Sequence, residues 1–346
     1  MRIAQVAPLY ESVPPVLYGG TERIVSYLTE ELVRQGHDVW LFASGDSRTS
    51  AHLVPMRPSS IRLDTACQDS LAAHIVMLEN VCAQQHRFDL IHYHIDYLHF
   101  PLSRRGSTPQ VTTLHGRLDL PELQQVYNEF REMPVVSISD AQRAPLPQAN
   151  WLGTVHHGVP SALYPYSPRG NGYLAFLGRV SPEKRLDRAI EIATRCGRAL
   201  KVAAKVDRVD REYFEAHIKP LLSSSLVEFI GEIGDADKGR FLSGADALLF
   251  PIDWPERFGL VMIEAMACGT PVVAFRGGSV GEIIDHGVTG FIVEDIGGAV
   301  AAVDRAVTLD RARIRAVFEK RFTAARMAAD YVGLYEQAMV NAAAAA

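Results

Sequence analysis

Two carboxylates, Glu256 and Glu264, stand eight positions apart in the run Pro251-Ile252-Asp253-Trp254-Pro255-Glu256-Arg257-Phe258-Gly259-Leu260-Val261-Met262-Ile263-Glu264-Ala265-Met266-Ala267-Cys268-Gly269-Thr270-Pro271. The run follows a strand-like apolar segment, so Glu256 falls in a loop and Glu264 on the helix that the loop opens. A helix beginning at Phe258 and Gly259 leaves its first N–H groups without partners, and dipole and hydrogen bonding together make such an end an anion site. A carboxylate accepts two or more O–H hydrogen bonds, so acids flanking that end suit a ligand rich in hydroxyls. A plainer reading stays open: an acidic residue at a helix start and a part-buried glutamate paired with an arginine.

A second group lies in Gly178-Arg179-Val180-Ser181-Pro182-Glu183-Lys184-Arg185, just past another strand-like run. Gly178 permits close backbone approach, and Arg179 and Lys184 set two cations where a diphosphate would need its charge neutralised. Lys205, after Val202-Ala203-Ala204, is a third candidate cation. Basic residues in such loops are otherwise simply solvated.

The elements that must hold these groups alternate. In the first half, strands are expected at 3–7, 39–43, 90–94, 111–114 and 135–138, with a helix at 21–35 on Ile24, Leu28, Leu32 and Val33 and capped by Thr21. A Pro/Gly/Ser stretch at 163–172 reads as a linker. A second series follows, with strands at 174–177, 201–204, 227–230, 247–250 and 272–275 and helices starting near Pro182, Asp237 and Phe258. Short β-rich runs alternating with helices indicate parallel sheets covered on both faces. Two doubly wound α/β domains bind ligands beyond the carboxyl ends of their strands, which implies a cleft between them. The segment 322–340 is helical by composition and is expected to pack across both domains. The alanine run 342–346 has no pattern and is set aside.

At 346 residues the chain accommodates about two domains at roughly 150 residues each. Lys plus Arg total 35 against 40 Asp plus Glu, and this net charge of −5 disfavours nucleic acid as a partner. Four cysteines, Cys67, Cys82, Cys196 and Cys268, include no C-x-x-C pair, which suits buried free thiols in a reducing cytoplasm rather than structural zinc or disulfides. The first residues enter a short strand without a signal peptide's apolar segment, and no run reaches the roughly 18 apolar residues of a membrane span, so at most peripheral membrane contact is expected.

Several motifs look sharper than they are. Gly277-Gly278-Ser279-Val280-Gly281 matches the hydrolase G-x-S-x-G, but the only later histidine is His286, directly after Asp285, so the required acid-then-histidine order fails. Asp235-Ala236-Asp237 resembles a metal-binding D-x-D, yet it opens a helix, where aspartate is a favoured cap. His92, His94 and His99 have metal-ligand chemistry, and the preferred reading is packing or lining of an acceptor site. Structural roles are expected for His156 and His157. Arg305, Arg311, Arg313, Arg315, Lys320, Arg321 and Arg326 read as a solvated helical face. Arg104-Arg105, after Leu98, Phe100 and Leu102, would bind an anionic membrane only weakly.

Taken jointly, Glu256-x7-Glu264, the following Ala-x-Ala-Cys-Gly-Thr-Pro-Val-Val-Ala, and Arg179 with Lys184 resemble the family 4 glycosyltransferases (glycosyl transferases group 1), retaining enzymes of GT-B architecture. The resemblance runs from Gly19-Gly20 to the terminal helix. It implies an α/β fold of two Rossmann-like domains facing a central cleft: an acceptor-side domain at 1–165, a nucleotide-sugar-binding domain at 166–320, and a helix at 321–341 crossing back. Carried over residue by residue, Glu256 meets donor-sugar hydroxyls, with the Phe258, Gly259 and Leu260 backbone near sugar and phosphate. Glu264 holds the ribose, and Arg179 and Lys184 clamp the diphosphate. His115, in Val111-Thr112-Thr113-Leu114-His115-Gly116, matches the family's active-site histidine. Gly19 and Gly20 match its glycine loop, and Glu282 matches a weaker pocket position. Two departures bear on sugar and phosphate contacts: Arg257 where a small residue is usual, and Ala204-Lys205 in place of a frequent glycine.

The implied reaction moves a hexose from a nucleotide sugar, UDP-glucose or a related UDP-sugar first and GDP-mannose next, to an acceptor hydroxyl. The acceptor is a glycan, a lipid-linked sugar or a small metabolite. Transfer retains anomeric configuration and needs no metal or other cofactor. A cytoplasmic location, with or without attachment to the membrane's cytoplasmic face, goes with it. The alternatives are a same-fold sugar phosphorylase using sugar 1-phosphate, and a catalytically silent protein that binds nucleotide sugar or glycan.

Overall fold

A computed structural model describes residues 1–17 and 19–345, with positions 236 and 345 as backbone only. The chain forms two compact units, Met1–Gly158 together with Ala324–Ala346, and Val159–Thr323.

The first unit holds a seven-stranded sheet of β1 (Arg2–Val6), β2 (Asp38–Ala43), β3 (His52–Pro55), β4 (Leu90–Tyr93), β5 (Gln110–Thr113), β6 (Pro134–Ser137) and β7 (Asn150–Thr154), in the order β3-β2-β1-β4-β5-β6-β7. The second holds β8 (Tyr173–Arg179), β9 (Ala199–Lys205), β10 (Val227–Gly231), β11 (Ala247–Phe250), β12 (Val272–Phe275) and β13 (Gly290–Val293), in the order β10-β9-β8-β11-β12-β13. Every strand pairing in both sheets is parallel. Strand order reverses between β1 and β4 and again between β8 and β11, the switch points at which open parallel sheets hold ligands. β11 and β12 are buried along their length, as their unbroken apolar runs require of strands covered on both faces.

Three strands escaped the sequence pattern, and all three lie at sheet edges. In β3 and β7 the edge position brings partial exposure and polar residues such as His52 and Asn150, which blur the apolar signal.

Helix starts differ from expectation in instructive ways. The helix Gly20–Arg34 buries Ile24, Val25, Leu28 and Leu32, but Gly19 is its cap and Thr21 sits inside the first turn. Near Pro182 there is only the 3-10 turn Pro182–Lys184; Arg185 then adopts a left-handed φ of 53° before the helix Leu186–Cys196 begins. The helix Asp235–Ser243 is capped by Gly234, so Asp235 and Asp237 complement the dipole from the first turn instead of capping. The helix expected at Phe258 starts at Leu260, with Gly259 as a left-handed cap.

The units divide at Gly158 and Val159, ahead of the stretch 163–172, which lies in the second unit and is mostly exposed. Tyr164 within it is fully buried, and Arg315 donates to its carbonyl. The terminal helix Ala324–Ala345 belongs to the first unit, where Tyr331 and Tyr335 pack against His92. In the basic carboxyl-terminal region Arg305, Arg313 and Lys320 are exposed as expected, whereas Arg311, Arg315 and Arg326 are spent on backbone carbonyls. Arg311 is buried and donates to the carbonyls of Ser167, Ser243 and Ala245 and to Thr270 Oγ1. Arg326 donates to the carbonyls of His156 and His157. Arg104 is held by Glu129 and Glu132. Arginine's planar fork suits it to collecting several carbonyls where a chain turn leaves them orphaned. No helix among the described residues is long and apolar enough to cross a membrane.

Candidate active site

In the second unit β8 and β9 end in register, with Gly178 opposite Ala204 and Arg179 opposite Lys205. Two cations therefore stand side by side at the carboxyl edge of the sheet. Each is held by acids: Lys205 Nζ lies 3.0 Å from Asp207, and Arg179 donates to Glu183 and lies 3.4 Å from Asp210. Asp253 N–H donates to the Glu183 carbonyl at 2.9 Å, which ties the loop after β11 to the turn after β8.

That tie brings the two sequence motifs together. Lys184 forms an ion pair with Glu256 Oε2, and Trp254 Nε1 donates to the same oxygen at 3.1 Å. Glu256 is only 6% exposed, so these partners replace the water its oxygen would otherwise bind. Lys184 Nζ lies 5.0 Å from the Trp254 ring centre and the Arg257 guanidinium 4.6 Å from it, so one indole carries two cations.

The glycine motif after β12 supports this loop. A Cβ at Gly277 would lie 2.6 Å from the Trp254 carbonyl oxygen. At Gly278, where φ is +51°, it would lie 2.1 Å from that of Glu256. Ser279 is fully buried; its N–H donates to the Glu256 carbonyl and its hydroxyl to that of Phe258. The literal G-x-S-x-G is thus a cradle for 254–258, with its serine spent on backbone.

Phe258 is buried, and Gly259 turns the chain at φ +79° into Leu260–Ala267, where Met262 N–H donates to the Gly259 carbonyl at 3.0 Å and the Leu260 and Val261 N–H groups come before that first intrahelical bond. One turn on, Glu264 is 3% exposed, accepts from the Tyr164 hydroxyl at 2.8 Å, and lies 3.5 Å from Lys238 Nζ. Its partners are a tyrosine and a lysine, where the plainer sequence reading had an arginine. Glu282 lies half-buried in the short helix Val280–Ile283, and its carbonyl accepts from Arg321.

The other predicted residues lie in the first unit. Gly19 precedes the helix after β1, where a Cβ would crowd Pro15 at 2.8 Å, while Gly20 faces open space. His115 is half-buried just beyond β5; its Nε2 is 2.9 Å from His94 Nδ1, and its ring stacks on His157 at 5.4 Å. Burial pushes the pKa values of His92, His94, His99 and His157 well below the usual imidazole value. Among the described residues no three His, Cys, Asp or Glu side chains form a metal-ligand group. His99 instead bonds Thr112 and Ser103, and His92 bonds Thr113 and Tyr335.

Sequence reading missed Trp254, Tyr164, Gln5, Tyr331 and Tyr335, while His157, given a structural role, is buried. Gln5 carried a usable signal, a polar residue inside the apolar strand Ile3-Ala4-Gln5-Val6. The tyrosines carried one too, four apart on a helix.

The family model described as glycosyl transferases group 1 matches residues 167–317, and that of glycosyltransferase family 4 matches residues 18–190. The chain belongs to glycosyltransferase family 4. Its two Rossmann-like units are those of the GT-B fold, and it is a glycosyltransferase. Relatives in the family include a glycogen synthase of Mycobacterium tuberculosis (26% identical, covering 88% of this chain and 85% of the relative). A phosphatidyl-myo-inositol mannosyltransferase of Mycobacterium leprae is 27% identical over 98% of this chain and 94% of its own. Anabaena HepE, solved in complex with UDP and glucose, is similar in fold at a TM-score of 0.74 and 22% identity, covering 97% of this chain and all of HepE. Glycosyltransfer of this kind implies a nucleotide-sugar donor.

Proposed function

We propose that this family 4 member is a retaining hexosyltransferase that uses a UDP-sugar, UDP-glucose foremost and GDP-mannose next, without a metal. The observation that carries this reading is the Lys184–Glu256 ion pair, which joins the turn after β8, where Arg179 stands opposite Lys205, to the loop that leads into the helix Leu260–Ala267. A cation and a buried carboxylate adjoining free helix N–H groups form a site with separate places for a diphosphate and a sugar hydroxyl. HepE, similar in fold, was solved with UDP and glucose, which supports uridine and glucose as the first ligands to offer.

In this reading Arg179, Lys184 and the helix N–H groups stabilise the charge that develops on the leaving diphosphate. Glu256 takes donor-sugar hydroxyls, with the Phe258, Gly259 and Leu260 backbone near sugar and phosphate; Glu264 takes the ribose, and Lys205 and Glu282 line the pocket. Gly19 and Gly20 admit the phosphates, and His115 meets donor sugar and acceptor. The acceptor hydroxyl attacks on the face that the nucleotide leaves, and a donor phosphate oxygen takes its proton. Anomeric configuration is thereby retained. The acceptor is a glycan, a lipid-linked sugar or a small metabolite. Four free cysteines support a reducing, cytoplasmic setting, with membrane contact at most peripheral.

The test is a transfer assay with UDP-, GDP- and ADP-sugars over an acceptor panel, with and without chelator, reading product anomer by NMR. The expected product is an α-linked glycoside formed from an α-linked UDP-sugar at unchanged rate in chelator. An inverted product, or a rate abolished by chelator, contradicts the proposal.

A further inference from the structure

A continuous chain of hydrogen bonds leads away from His115 through the core of the first unit. His115 Nε2 meets His94 Nδ1 at 2.9 Å, and His94 Nε2 meets Gln5 Oε1 at 2.8 Å. Gln5 Nε2 donates to the Tyr335 hydroxyl at 3.1 Å, and Tyr335 meets His92 Nδ1 at 2.7 Å. His92 Nε2 meets Thr113 Oγ1 at 2.7 Å, and Thr113 meets the Tyr331 hydroxyl at 2.8 Å. Gln5, His92, Thr113, Tyr331 and Tyr335 are wholly buried, and His94 nearly so. Buried polar groups are costly unless fully paired, so a purely structural core would be filled more cheaply by apolar side chains.

The chain has a direction, set at Gln5. A carbonyl oxygen only accepts, so the hydrogen between Gln5 and His94 sits on His94 Nε2. Desolvation keeps the His94 ring neutral, which leaves His94 Nδ1 as a lone pair. The hydrogen between the two rings then belongs to His115 Nε2. On the other side the Gln5 amide donates to Tyr335, Tyr335 to His92, His92 to Thr113, and Thr113 to Tyr331. Turning the Gln5 amide end for end would reverse every bond and make His115 Nε2 the acceptor from His94.

We infer that Gln5 and His94 are positioning residues for His115, fixing a hydrogen on its Nε2 and with it the orientation of the ring toward the substrate. The functional half rests on the placement of His115 at the transfer site proposed above; the hydrogen placement does not. Groups that hold a functional imidazole in one tautomer through its second nitrogen act this way at other sites.

The experiment is a long-range 1H–15N correlation of protein carrying 15N-histidine at neutral pH, with the His115 signals identified by their loss in His115→Asn. The wild type is expected to show His115 protonated at Nε2; an Nε2 without hydrogen overturns the proposal. Gln5→Leu is expected to mix the tautomers and lower kcat by roughly tenfold or more with KM little changed. Gln5→Glu, whose carboxylate can only accept from His94, is expected to restore the tautomer and most of kcat. An unmixed tautomer in Gln5→Leu, or a restored tautomer with no recovery of kcat, overturns the positioning role. Wild-type protein with the expected tautomer but no transfer overturns the transferase reading and bears out the hydrogen placement.

Discussion

Lys184 and Glu256, 72 residues apart in sequence, form an ion pair in which the carboxylate also accepts from Trp254 Nε1. The pair joins the turn after β8 to the loop after β11, across the switch point of the second sheet. It holds in place the two groups proposed to meet a diphosphate and a sugar. Lys184→Ala leaves a nearly buried carboxylate without its cation. The expected loss is about 2 kcal/mol in urea unfolding, below the range for deeply buried pairs because Lys184 keeps some exposure. Turnover is expected to fall by about two orders of magnitude or more, as is that of Glu256→Ala. Near-wild-type turnover in either variant contradicts the site assignment.

Glu264 is expected to act in nucleotide affinity. Glu264→Gln keeps the shape and the Tyr164 hydrogen bond but lowers the acceptor strength toward ribose hydroxyls. Calorimetry should show weakening of about tenfold for the nucleotide. Tyr164→Phe, which leaves the carboxylate charged, should weaken binding less. Equal affinities in Glu264→Gln and wild type would place the ribose elsewhere.

Gly278→Ala adds a Cβ within 2.1 Å of the Glu256 carbonyl at a residue whose φ is +51°. Backbone cannot yield cheaply there, so the 254–258 loop must move. Turnover is expected to drop at least tenfold, while Gly20→Ala, into open space, leaves stability within about 0.5 kcal/mol. A crystal structure of Gly278→Ala with an undisplaced Glu256 would contradict the cradle.

Four buried histidines make the first unit sensitive to acid. The folded pKa values of His92, His94, His99 and His157 lie well below the ordinary value, so below pH about 6.5 the unfolded chain binds protons that the folded chain does not. Stability therefore rises with pH through this window and is lost as pH falls, by up to about 1.4 kcal/mol per unit for each histidine until its folded pKa is reached. Urea midpoints measured from pH 7.5 down to 5 should fall steeply; a flat profile would mean that these rings titrate normally in the fold.

Much of this architecture is legible in the chain because parallel strands covered on both faces are short apolar runs, and their alternation with helical patterns dictates doubly wound sheets. The Glu256 and Glu264 motif and the Arg179 and Lys184 loop were legible as local chemistry at strand ends. What pairs with what was not. The Lys184–Glu256 contact depends on strand order, which places β8 beside β11 although two strands separate them in sequence. The histidines of 92–99 read as packing or as lining of an acceptor site; they are buried as packing requires, but their hydrogen-bond partners Gln5, Thr112, Thr113 and Tyr335 are set by the fold and were not legible. The carboxyl-terminal arginines looked like a solvated face because charge pattern alone does not reveal carbonyls left open by distant turns.

The central claim is a nucleotide-sugar site built on Lys184 and Glu256, and titration calorimetry with UDP and UDP-glucose, with and without chelator, tests it most directly. The account predicts binding to the wild type that chelator does not change and that Lys184→Ala weakens by about tenfold or more. Failure of every UDP, GDP and ADP ligand to bind, binding only in the presence of a divalent metal, or undiminished affinity in Lys184→Ala would contradict it.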